Sequence, residues 1–231
     1  MPDSISASTP RRSQKQASST DSADPAPVAG EAWSWPRFFR NAAILAAAIT
    51  LGVWFMADGV WPNVFPKRFG VVEAGELYRS GELTPAATRK VVESHGIRTI
   101  IDLGAYSAGS DEATRAQATA EALGVERFRF SLRGDGRGDP NEYVQALRLA
   151  MDPANQPVLI HCAAGAQRTS CAIGFYRIIE DDWTIDRVIQ DARRYDHDPA
   201  DNPHVRGMLD RWTPEVERAL ETGSPIPTPG N

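Results

Sequence analysis

The chain has 231 residues, 42% hydrophobic and 24% charged, with a formal net charge of −5. That length holds one full-sized domain with additions, but not comfortably two. The acidic balance, with arginines interspersed among carboxylates, excludes the basic stripe of a nucleic-acid binder. Two cysteines and four scattered histidines form neither a disulfide framework nor a ligand cluster. Chemistry without a metal or other cofactor is therefore expected.

Residues 1–36 are rich in Ser, Ala, Pro and Asp, with almost no large apolar residue before Trp33, and read as a disordered leader. The run from Asn41 to Ala57 is uncharged and lies between Arg40 and Asp58. Trp33, Trp35, Phe38 and Phe39 precede it, and Trp54 and Trp61 close it, as interfacial aromatics do. A single-pass transmembrane helix over 37–61 is expected, with the membrane as a partner; a buried core helix or a leader peptide is the alternative. Arg37 and Arg40 on one side against Lys67 and Arg68 on the other bias the amino end only slightly toward the cytoplasm. The side occupied by the rest of the chain stays open.

From 64 to 221 the pattern is that of one catalytic α/β domain. Thr84-Pro85 caps a helix running to Ser94, ended by Gly96, and Arg98–Leu103 is an apolar run of strand length. A helix from Glu112 to Leu123 follows, stopped by Gly124, and then an alternating strand, Phe128–Leu132. Asp139 with Glu142 three residues on has the form of a capping box opening a helix over Asn141–Met151. Pro157–His161 reads as a strand buried on both faces, followed by helices over Thr169–Glu180, Ile185–Tyr195 and about Pro203–Leu220. Strands alternating with helices predict a central, mostly parallel sheet flanked by helices. The Pro-rich residues 222–231 read as a flexible tail.

The chemistry is concentrated in His161-Cys162-Ala163-Ala164-Gly165-Ala166-Gln167-Arg168-Thr169. A free thiol is mostly protonated at neutral pH. Amide N–H groups converging from a tight loop, and the positive end of the following helix, favour the anion and cradle phosphate oxygens. Phosphate binding is accordingly expected at Ala163, Ala164, Gly165, Ala166, Gln167 and Arg168. Small side chains let the backbone curl, and Arg168 supplies a planar fork for bidentate phosphate contact. Thr169 places a hydroxyl near the sulfur as it departs in the second step, and His161 braces the loop through its ring nitrogens.

His161-Cys162-x5-Arg168-Thr169 resembles the signature loop of the protein tyrosine phosphatase superfamily. Gly75–Glu82, His95–Gly104 and Tyr176–Tyr195 are similar to the atypical dual-specificity branch found in bacteria, plants and fungi. The resemblance covers roughly 72–212. It implies a cysteine-phosphatase fold with Cys162 as nucleophile, and an upstream Asp as general acid. Asp139 has the cap to fill, whereas Asp135 lies between Gly134 and Gly136 in a segment able to close, so Asp135 is the expected acid. The implied reaction is hydrolysis of phosphotyrosine or phosphoserine/threonine, in a phosphorylated protein or small phosphoester, through a cysteinyl-phosphate.

Relatives acting on inositol phosphates often carry lysines inside this loop, where Ala163, Ala164, Ala166 and Gln167 stand here. An inositol phosphate or other non-protein phosphoester is therefore the less favoured alternative, with Arg133, Arg137, Arg193 and Arg194 available at the rim. Ser170 stands where relatives usually have Gly, and Cys171 reads as a packed thiol. Two rival classes remain: a phosphate-binding pseudophosphatase scaffold and a rhodanese-like sulfurtransferase. Retention of Cys162, Arg168 and a credible acid argues against the first, and Arg168-Thr169 with the flanking similarities against the second.

Overall fold

The computed structural model describes residues 35–227. The expected disordered leader lies outside them, apart from Trp35 and Pro36, as do the last four residues of the tail. The chain divides into two units, Met1–Ala46 and Ala47–Asn231, with the boundary inside helix α1, Trp35–Trp54.

No residue of α1 is buried, and no helix among the described residues is long and apolar enough to cross a membrane. The expected transmembrane span is corrected accordingly. α1 takes Pro36, Arg37, Arg40 and Asn41 into its first turns, and its apolar stretch leans on alanine. At Phe55 it gives way to a six-residue π-helix, Phe55–Val60, and then to the short α2, Trp61–Val64. The uncharged run is thus divided among helices of different pitch rather than gathered into one long apolar rod.

The remaining elements are β1 Gly70–Glu73, β2 Leu77–Ser80, α3 Pro85–His95, β3 Thr99–Asp102, α4 Asp111–Leu123, β4 Glu126–Arg129, α5 Pro140–Met151, β5 Val158–His161, α6 Gln167–Asp181, α7 Ile185–Ala192 and α8 His204–Thr222. A 3-10 turn, Arg193–Tyr195, follows α7. The sheet order is β1-β2-β5-β3-β4. Only the β1–β2 pair is antiparallel; β2–β5, β5–β3 and β3–β4 are parallel, so the expected mostly parallel sheet is present.

Side chains alternate across the central strands and separate two cores. Ile101, Ile160 and Cys162 pack with α5, α6 and α8, while Ile100 and Leu159 pack with Val91, Val92 and Val125 on the other face. Thr84 caps α3 by accepting from Ala87 N–H, and Gly96 ends it in the left-handed region, as the sequence implied.

Several expectations need adjustment. The fourth strand begins at Glu126 and ends at Arg129, short of Leu132, so 130–139 is loop. Asp139 does cap α5, but Glu142 accepts from Ser131 N–H at 3.2 Å instead of closing the capping box. The tail is tied down as far as Ile226, which is buried. Asn141 accepts from its N–H at 2.7 Å and donates to its carbonyl at 3.0 Å. Pairing to a helix start, rather than composition, decides its order.

Candidate active site

β5 is flanked on both sides by parallel partners and delivers His161 and Cys162 to the carboxyl edge of the sheet. The chain then folds back tightly. Gly165 has φ +80°, and a Cβ there would stand 2.5 Å from Gly81 N. A Cβ on Gly81 would in turn meet the Ala164 carbonyl at 2.7 Å. The loop therefore lies backbone to backbone on the end of β2, and glycine is required on both sides.

Cations and one amide hold the loop carbonyls from outside. Ala163 O accepts from Lys67 Nζ at 3.0 Å and Glu82 N–H at 3.1 Å. Ala164 O accepts from Arg68 at 2.6 Å, and Gly165 O from Arg79 at 2.8 Å. In a planar trans peptide the next N–H points opposite to the carbonyl. Fixing three carbonyls outward therefore turns the N–H groups of 164–166 the other way, and Gly165 N–H donates to Cys162 Sγ at 3.1 Å.

Cys162 is buried beneath this ring. α6 starts at Gln167 with no side-chain cap on its amino end, which leaves first-turn N–H groups for an anion. Arg168, also buried, donates from one terminal nitrogen to Leu103 O at 3.0 Å and to Gly104 O. Its Nε is buried without a partner among the described residues. A bound phosphate oxygen would satisfy that donor.

Other predicted residues engage differently from expectation. Thr169 donates to Ser80 O at 3.5 Å, tying α6 to β2. Gln167 Oε1 contacts Nδ1 of the buried His197. His161 has an Nδ1 without a partner among the described residues, and burial lowers its pKa against the opposing pull of Asp102. Asp102 is fully buried in an ion pair with Arg127.

Asp135 lies in the turn that follows Leu132. Its carboxylate accepts from Arg137 Nε at 2.8 Å, from a terminal nitrogen at 2.6 Å and from the backbone N–H at 3.0 Å. The Arg137 hydrogen bond is the main reason its pKa lies below the ordinary carboxylate range. Tyr143, buried in α5, donates to Gly136 O at 2.6 Å and pins this turn to the core. A Cβ on Gly136 would stand 3.6 Å from Gln167 O, so the turn abuts the start of α6. Asp139 accepts from Asn141 N–H at 2.9 Å and is committed to its cap.

Arg79 was not singled out from sequence, yet it is 1% exposed directly behind the loop. It bridges Gly165 O and Ser170 Oγ (2.9 Å), with its guanidinium 3.6 Å from the Tyr195 ring centroid. Burial brings its pKa down to about 10, which still leaves it charged at neutral pH. A polar residue inside the run Leu77-Tyr78-Arg79-Ser80 was the only signal. Lys67 and Arg68, counted earlier as flanking charges of an apolar run, belong to the loop.

Comparison with known proteins decides the family. The sequence model described as "Tyrosine phosphatase family" matches residues 63–221. The chain belongs to this family. Within it, the atypical dual-specificity, cysteine-dependent phosphatases are its relatives. It is 30% identical over 138 residues to inositol diphosphatase DSP1 of Oryza sativa subsp. japonica, covering 56% of this chain and 57% of that one. It is 27% identical over 135 residues to inositol diphosphatase DSP3 of Arabidopsis thaliana, covering 56% and 62%. The chain thus spans less than two thirds of these curated relatives. In fold it is similar to the core catalytic domain of the PP-IP phosphatase SIW14 from S. cerevisiae, with TM-score 0.57 and 22% identity, covering 68% of this chain and 93% of that one.

Proposed function

We propose that this protein is a cysteine-dependent phosphatase that cleaves the terminal phosphoanhydride of diphosphoinositol polyphosphates. The observation that carries this substrate class is the pairing of Asp135 with Arg137, which holds the expected acid as a carboxylate. A tyrosine leaving group has a pKa near 10 and needs a proton. A departing phosphate monoester has a second pKa of about 6 and leaves as an anion without help. The relatives named inositol diphosphatases support the same reading.

The Cys162 thiolate attacks the terminal phosphorus in line. The bond to the bridging oxygen breaks, and its electron pair stays on the departing inositol phosphate. Amides of the loop and Arg168 hold the three equatorial oxygens as charge redistributes. Water then attacks the cysteinyl-phosphate, releasing orthophosphate and the thiolate; in this reading the Asp135 carboxylate takes the water's proton. Arg133 and Arg137, beside Asp135, supply positive charge for the remaining phosphates.

A phosphotyrosine or phosphoserine/threonine protein is the second reading, favoured by the absence of lysine between Cys162 and Arg168. Turnover of a diphosphoinositol polyphosphate against phosphotyrosine and phosphoserine peptides separates the two. We expect kcat/KM at least about tenfold higher for the anhydride, a difference of about 1.4 kcal/mol in the barrier. Cys162→Ser should abolish both activities. Peptide hydrolysis outpacing the anhydride would reject the substrate assignment, and no hydrolysis of either would reject the enzyme.

A further inference from the structure

On the sheet face away from α6 there is a cavity of about 760 Å³. Its floor is Ile100 and Leu159, which belong to the core that excludes Cys162, so it is not the mouth of the nucleophile's loop. Trp61 and Phe65 form its lip, their ring centroids 4.2 Å apart, and both remain more than half exposed. Pockets of this size commonly take small ligands.

Four cations line it, each with a carboxylate partner: Lys67 with Glu82, Arg68 with Asp196, Arg115 with Glu112 and Arg127 with Asp102. Two of its wall residues, His161 and Arg127, have side chains more than nine-tenths buried, and each carries a nitrogen with no partner among the described residues. Buried donors and acceptors left unmatched are uncommon and mark places where a ligand or water completes the set. Tyr106 adds a phenol; burial pushes its pKa up to about 12, so it remains a donor.

We propose that this cavity binds a small amphipathic anion, an acyl or aromatic carboxylate, with its apolar body on Ile100 and Leu159 beneath the Trp61–Phe65 lip. Its charged end meets the cations, Arg115 among them. An inositol polyphosphate has no apolar body to lay on this floor, so the ligand is a different molecule from the substrate. The inference does not rest on the phosphatase reading.

The full chain titrated with 8-anilinonaphthalene-1-sulfonate, followed by displacement with decanoate or decanol, tests the site. A saturable signal is expected, displaced by decanoate at a concentration about tenfold below that of decanol. Thr88→Trp, which fills the half-buried α3 wall, and Arg115→Glu, which reverses an exposed charge, should each weaken dye binding by about tenfold. Phosphatase activity should stay within about twofold in both, because neither residue touches the signature loop. Should Thr88→Trp fail to fold, the exposed Arg115→Glu decides. Equal displacement by decanol, or dye binding indifferent to both substitutions as expected for the exposed apolar surface of α1, would overturn the proposal.

Discussion

Gly165 carries more of the site than its missing side chain suggests. Its positive φ is open to glycine, and its Cα faces Gly81 at a separation no β-carbon fits. Gly165→Ala adds strain of about 1–3 kcal/mol before the clash is counted. It should lower Tm by about 2–4 °C per kcal/mol and remove most activity, because Gly165 N–H is the donor to Cys162 Sγ. Thermal melts beside turnover measure both; a fully active variant with unchanged Tm would contradict the packing of loop on strand. At this scale sequence reading finds residues whose chemistry is unusual for their surroundings, such as Cys162 and Arg168. It does not find Arg79, Lys67 or Arg68, because an arginine or lysine reads as solvated until the fold supplies the carbonyls it grips. Ser170 belongs with them, its hydroxyl engaged by Arg79 where a glycine would offer nothing.

Among the elements, those with strong local signals were legible. Capped α3 and α4, with Gly96 and Gly124 as stops, and the apolar β3 and β5 all form within a residue or two of their expected limits. The β1–β2 hairpin was not foreseen, since β2 buries Arg79 and Ser80 and therefore lacks both apolar alternation and an apolar run. The apolar stretch after Arg40 misled for the opposite reason: composition suggested one long helix, and its pitch changes at Phe55. For the loop that carries Asp135, the Arg137 pairing sets the expected outcome. Asp135→Asn should change kcat/KM for the anhydride by less than about tenfold, because that ratio ends at transfer to Cys162, while kcat/KM for any residual aryl phosphate cleavage falls by about 10²-fold or more. Steady-state kinetics on the two substrates measure this, and equal losses on both would return Asp135 to the role of obligatory acid.

For the molecule as a whole, two buried imidazoles set the response to acid. Burial lowers the pKa of both His161 and His197 in the folded state. Below about 6.5 the unfolded chain takes protons that the folded chain refuses, so stability present above that pH is lost as pH falls toward the folded values. Tm should therefore drop between pH 7 and pH 5, and His161→Asn should flatten the slope. A Tm that rises on acidification would show that these rings are not held neutral.

β5 has hydrogen-bonded neighbours on both sides and ends at the nucleophile. Amides in such a strand open only with the whole domain, so hydrogen exchange at 158–161 should be among the slowest in the chain. The sulfur then hangs from the last part of the protein to come apart. Inactivation on heating should coincide with global unfolding, and local fraying at the surface should leave catalysis intact.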